Sequence, residues 1–126
     1  MAASWTAREV VELYNLVVWN ERNLDLAREL FADNVIRHEV GESQTLSHAQ
    51  AVQRVADVWQ LFESLRFDLN IVIDGDDGEH VAIVYDSTMT TTDGTQTNVA
   101  SIEVFRVVDG KITEVWNCGY QQGVWN

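Results

Sequence analysis

The hydrophobic period of this chain changes once, near Ser64. Before that point Val52, Val55, Trp59 and Phe62 recur at helical spacing. After it, Phe67, Leu69, Ile71 and Ile73 alternate with Arg66, Asp68, Asn70 and Val72 as strand residues do. Three more strand-like runs follow, over residues 81–91, 96–108 and 111–120. The turns between the four runs are Asp74-Gly75-Asp76-Asp77-Gly78, Asp93-Gly94 and Asp109-Gly110. Asp-Gly favours tight hairpins because glycine accepts positive φ. Helices followed by a run of hairpin-linked strands predict an α+β domain with an antiparallel sheet and helices on one face. Strands this long must twist and curl, which leaves a hollow between sheet and helices.

The N-terminal half supplies three helices. Thr6 and Glu9 have capping-box spacing, and Trp5 and Val10 are placed as a hydrophobic staple. Val10, Tyr14, Val17 and Val18 then share one face. A second helix is predicted over 24–31, capped by Asn23, and a third after Ser47, with Gln50 completing its capping box. Residues 35–40 between them read as a short strand. With 126 residues, no proline and no linker, the chain is expected to form one domain over 1–126.

Charge narrows the partners. The formal net charge is −12, carried against only seven arginines and Lys111. No basic stripe exists for a phosphate backbone, so nucleic acid is not expected, nor is an anionic membrane surface. Cys118 is the single cysteine, so an internal disulfide is excluded; its place in a strand-like run predicts a small buried residue. The first eleven residues lack the charged and apolar regions of a secretory leader, and a cytoplasmic location is expected. The acidic turn at 74–78 lacks the ligand spacing of a calcium loop, and no metal-ligand motif, phosphate loop or cofactor signature appears, so neither metal nor cofactor is expected.

Two longer stretches carry a resemblance. One is Leu13-Tyr14-Asn15-Leu16, Trp19-Asn20-Glu21 and Phe31-Ala32-Asp33-Asn34-Val35-Ile36-Arg37-His38. The other runs from Ile102-Glu103-Val104-Phe105-Arg106 through Asp109-Gly110-Lys111 to Val115-Trp116-Asn117. Together they resemble the SnoaL-like branch of the nuclear-transport-factor-two-like superfamily, the fold of ketosteroid isomerases and polyketide cyclases. The resemblance implies a cone-shaped α+β barrel, usually dimeric, around a deep apolar pocket. It places an oxyanion-binding tyrosine at Tyr14, a base at His38 or its neighbour Glu39, and a protonated acid at Glu103. Where cyclases of this branch often carry a catalytic Asp after the last-strand Trp, this chain has Asn117.

Residue chemistry supports and qualifies these assignments. His38 offers a neutral imidazole near pH 7, or a structural histidine bonded to a carbonyl. Glu103 interrupts an apolar strand, as a buried acid or as an ion-paired surface residue. If it faces the pocket, Ser101 and Phe105 do too. Asp86 is expected to point inward in the same register. On the last strand Thr113, Val115 and Asn117 share a face, opposite Ile112, Glu114, Trp116 and Cys118. Tyr14, Trp59 and Phe62 are core residues that also serve as pocket wall. His48 and His80 are read as surface residues.

The function these residues support is a cofactor-free acid/base enzyme, of isomerase, cyclase or dehydratase type. Its substrate is a small apolar molecule bearing a carbonyl or ring. His38, Glu103 and Asp86 are the expected catalytic groups; Tyr14, Trp59, Phe62 and Asn117 bind. The alternatives are a non-catalytic metabolite binder of the same fold and a module that dimerises through its sheet.

Overall fold

In the computed structural model, residues 5–126 are described; Met1–Ser4, the first residues of the segment without leader-like regions, lie outside them. Helix α1 (Ala7–Leu13) begins at the capping box of Thr6 and Glu9, each side chain bonded to the other's backbone N–H. It runs directly into a π-helical segment, Tyr14–Trp19. Helix α2 (Leu24–Leu30) is capped by Asn23, and α3 (His48–Gln60) by the reciprocal Ser47–Gln50 box.

The seven strands are β1 (Phe31–Glu39), β2 (Glu42–Ser47), β3 (Phe62–Asp74), β4 (His80–Thr91), β5 (Gln96–Val108), β6 (Lys111–Asn117) and the short β7 (Gln121–Gln122). They form one open curved sheet in the order β2-β1-β6-β5-β4-β3, with β7 on β5. The helices cover its concave face. The sheet is mixed rather than purely antiparallel, because β1 pairs in parallel with β6. β2 was not among the expected strands; its polar Glu-Ser-Gln-Thr run folds back on β1 at the sheet edge through Gly41 at φ 94°. The Asp109-Gly110 hairpin has positive φ at both residues, 52° and 75°, the geometry of a type I′ turn.

Bulges decide which side chains face the core. Asn70 is an extra residue opposite β4, since Leu69 pairs with Tyr85 and Ile71 with Val84. Before the bulge Leu65, Phe67 and Leu69 face inward; after it Val72 packs on the core. Ile71 and Ile73, read from alternation as companions of Phe67, instead stand 50% and 56% exposed. Thr113 bulges similarly, so Ile112, not Thr113, joins Val115 and Asn117 on the inner face. Cys118 lies just past β6 and is exposed, contrary to the buried position expected of it.

The core joins α1, the π segment and α3 to the inner face of β1, β4, β5 and β6. Tyr14 makes edge-on contacts with Trp19, Phe31 and Phe105, and Trp19 with Trp59 and Phe67.

Candidate functional site

The pocket is built where inner-face residues of neighbouring strands meet in register. Glu103 on β5 lies directly opposite Ile83 on β4 and Asn117 on β6. Tyr85 is opposite Ser101, and Ser87 opposite Val99. On β1, Arg37 is level with Val115 and shares the inner face. The helical layer adds Tyr14, Asn15 and Trp19 from the π segment, and Arg54 and Val58 from α3.

The π segment explains why this helix reaches the pocket with two faces. Its backbone N–H groups bond to carbonyls five residues back rather than four. That slip rotates the helix, so Asn15 and Trp19 are buried beside Tyr14 and Val18, while Val17 moves to the margin. Asn15 anchors itself by donating to the Val11 carbonyl at 2.8 Å.

These residues enclose a cavity of about 210 Å³. Its wall is apolar, made by Trp19, Val58, Phe62, Leu65, Phe67, Met89 and Val99. Glu103, 7% exposed, is its carboxylate. Asn117 donates a 3.0 Å hydrogen bond to Glu103 Oε1, and Arg37 Nη2 lies 4.0 Å from the same oxygen. Asn117 is fixed in turn, its carbonyl accepting from the Gly119 N–H. Among the described residues no group donates a hydrogen bond to Glu103 Oε2.

Two inward hydroxyls of β4 make no hydrogen bond: Tyr85 Oη, which faces Glu103, and Ser87 Oγ, farther along the cavity opposite Val99; both are wholly buried. Burial, and then the charge of Glu103, push the Tyr85 phenol far above its ordinary range. Burial also raises Tyr14, against the opposing pull of Arg54 and Arg37. Both phenols therefore stay protonated at neutral pH and available as donors. An unpaired buried hydroxyl costs about 1–3 kcal/mol, so two of them at one site mark a place where ligand or water supplies the partner.

The residues expected from sequence divide cleanly by face. Glu103, Tyr14 and Phe62 line the cavity, and Asn117 backs it through Glu103. Trp59 is buried behind Trp19, its indole N–H unpaired, and forms core rather than wall. His38 and Asp86 are not in the cavity. Strand alternation puts Arg37 inward and His38 outward, where its Nε2 meets Glu114 Oε2 at 2.7 Å and its ring stacks on Trp116 at 4.9 Å. Glu39, the neighbouring alternative, is exposed at the strand end. Asp86 falls between the inward Tyr85 and Ser87 and so faces out, opposite Ala100. The inward expectation for Asp86 failed because Glu103 pairs with Ile83, which makes the odd-numbered residues of β4 the inner set. His48 and His80 are surface residues, bonded to the Arg28 carbonyl and to Asp77.

Sequence reading missed Arg37, Arg54, Asn15, Tyr85, Ser87 and Tyr120. The signal for Arg37 was available: it sits one residue from His38, and the apolar Val35 shares its parity. Nothing local marks Arg54 or Tyr120, which reach the cavity from α3 and from the chain beyond β6. Among the described residues, no three His, Cys, Asp or Glu side chains gather as a metal site.

Several solved structures share this architecture. A candidate polyketide cyclase from Acidithiobacillus ferrooxidans superposes with a TM-score of 0.78 at 22% identity, over 93% of this chain and 89% of that one. The epoxide hydrolase/cyclase-like enzyme SalBIII, of pyran ring formation in salinomycin, gives 0.78 at 22%, over 94% and 95%. A Catenulispora acidiphila protein of ketosteroid isomerase-like fold, solved with trimethylamine, gives 0.73 at 20%, over 90% and 87%. At such identities these likenesses speak for the fold alone. No curated protein matches the sequence. The sequence profile of one family, however, spans residues 8–124, nearly the whole described chain. On that match, and on the fold that agrees with it, the chain belongs to the SnoaL-like polyketide cyclase family.

Proposed function

We propose that the protein is an acid/base enzyme that removes a proton next to a carbonyl of a small, apolar substrate held in this cavity, with Glu103 as the proton acceptor. The observation that carries this reading is the state of Glu103. It is a buried carboxylate in an apolar chamber, oriented through Oε1 by Asn117, with Oε2 uncommitted. A base so placed can take a proton without first breaking a hydrogen bond. The negative charge that develops on the substrate oxygen would meet the Arg37 guanidinium and the unpaired hydroxyl of Tyr85, both beside Glu103. Ring closure, isomerisation and dehydration all begin from the resulting enolate. No cofactor is needed for that step.

The test is hydrogen–deuterium exchange at the α-carbon of a panel of cyclic ketones and β-keto esters, followed by NMR in D₂O. The wild type is expected to accelerate exchange of at least one member, and Glu103→Gln to lose about 100-fold or more of that rate. Tight binding of panel members with no acceleration would instead favour a non-catalytic binder.

The outer face of the sheet supports self-association. Ile71, Val84 and Ile102 form one row across β3, β4 and β5, and Ile73, Ala82, Val104 and Trp116 form the next. Ile71, Ile73 and Ile102 are exposed. We propose a homodimer through this face. Light scattering should give twice the chain mass, and Ile102→Lys should give the monomer; a monomeric wild type would rule the dimer out.

A further inference from the structure

The charges inside the cavity do not balance. Its ionisable walls are Glu103, Arg37, Arg54 and the phenols of Tyr14 and Tyr120. With the phenols neutral, two guanidiniums face one carboxylate, which leaves the chamber positive inside a chain of net charge −12. Arg37 is the cation paired with Glu103. Arg54 has no carboxylate within 4.0 Å among the described residues, although the chain carries 20 acidic residues against eight basic ones. Its neighbours in the cavity are Tyr14, Tyr120 and Glu103.

A half-buried guanidinium without a counter-ion loses hydration and gains little in return. Arg54 nevertheless lines the apolar chamber from α3, at its border with a surface groove that holds Asp57, and makes no ion pair with that carboxylate within 4.0 Å. A ligand that brings its own anionic oxygens would supply the missing partner. The planar fork of an arginine matches a carboxylate through two parallel N–H···O bonds. One unmatched positive charge suits a carboxylate better than a doubly charged phosphate, and the apolar lining offers little to hydrate the second charge. Tyr120, half exposed at the end of the chain and lining the same cavity, places a phenol close to Arg54.

We infer that the ligand of this cavity is a carboxylic acid with an apolar, ring-sized body, whose carboxylate is received by Arg54 while the body lies against Trp19, Phe62, Phe67 and Met89. This deepens the reading of the cavity as a substrate site and rests on that cavity being occupied by a small organic molecule. It divides the chamber into an anchoring end at Arg54 and a reacting end at Glu103.

The experiment compares 2-naphthoate with its neutral methyl ester, by isothermal titration calorimetry at pH 7.5 on the full chain. The acid is expected to bind the wild type at least about tenfold more tightly than the ester, the gain of one charge-assisted bidentate contact. Arg54→Met should bring the two within about twofold of each other while ester affinity is kept, and Arg54→Lys should retain part of the preference. Retained ester binding and an unshifted melting temperature show that Arg54→Met is folded. Equal or tighter ester binding by the wild type, binding of neither compound, or a preference that survives Arg54→Met would overturn the inference. Glu103→Gln separates the two proposals: it should abolish α-carbon exchange yet keep the preference for the acid. If the preference follows Arg54 while exchange is absent, the ligand class stands and the catalytic reading falls. If exchange is seen with neutral substrates and no acid preference exists, the reverse holds.

Discussion

The side-chain amide of Asn117 donates a 3.0 Å hydrogen bond to Oε1 of Glu103 from the adjacent strand. The two residues are direct partners in the β5–β6 ladder, so backbone pairing alone sets the contact. An amide holds the carboxylate in place without competing for its proton, which a carboxyl at the same position would do.

Asn117→Asp should therefore make the protein sensitive to alkaline pH. Two carboxylates would share one buried site, and one of them would have its folded pKa raised above its unfolded value. A raised acid pKa gives stability that is intact at low pH and lost as pH climbs through the folded pKa. The variant should melt close to wild type near pH 4 and fall behind by about 1–3 kcal/mol by pH 8, from the cost of a buried unpaired charge. Thermal melts across that range check the sign; a deficit largest at low pH would contradict it.

Tyr85→Phe separates stability from binding. The phenol hydroxyl is buried and unbonded, so its removal relieves an unmet desolvation cost. Urea denaturation is expected to show stability unchanged or higher by up to about 1 kcal/mol. Binding of a carbonyl-bearing ligand should weaken in the same variant, and a loss of stability would show that the hydroxyl has a partner in solution.

Asn20→Ala should loosen the helical wall of the pocket. Asn20 mimics a strand residue toward β3, donating to the Phe67 carbonyl at 3.0 Å and accepting from the Phe67 N–H at 2.7 Å. Its loss strands both backbone groups, at about 1–3 kcal/mol in denaturant unfolding. Amide exchange at Phe67 should quicken more than at Tyr85, because β4 keeps strand neighbours on both sides.

Asp93 gives an acid-side prediction. The Thr91 hydroxyl and then the Thr95 backbone N–H bond its carboxylate at the β4–β5 turn and hold its pKa down to about 2. A depressed acid pKa contributes stability above its unfolded value of 3.8 that fades as pH falls toward 2. Asp93→Asn should melt below wild type at pH 6, and the gap should close between pH 4 and pH 2. A gap that does not change with pH would mean the ionised form is not what the turn requires.

The comparison of sequence and structure turns on parity. Caps at Thr6, Asn23 and Ser47, the Asp-Gly turns and the switch of period near Ser64 are local signals. They foretold three helices and the long strands because the physics behind each acts within a few residues. Glu103 was legible as a pocket acid for the same reason, since an acid in an apolar strand shows itself locally. Which face each strand turns inward is not a local property. Bulges at Asn70 and Thr113 each shift the alternation by one residue, and the pairing of Glu103 with Ile83 sends Asp86 outward. The π segment does the same for Asn15 and Trp19.

Sequence by itself thus determined the class of fold, the element order and one buried carboxylate, because caps, turns and periodicity are encoded in neighbouring residues. Only the tertiary structure decided that Arg37 rather than His38 faces that carboxylate, and that Arg54 and Tyr120 close the chamber. One inserted residue reverses a strand's faces, and residues distant along the chain meet only when the sheet curves around the helices.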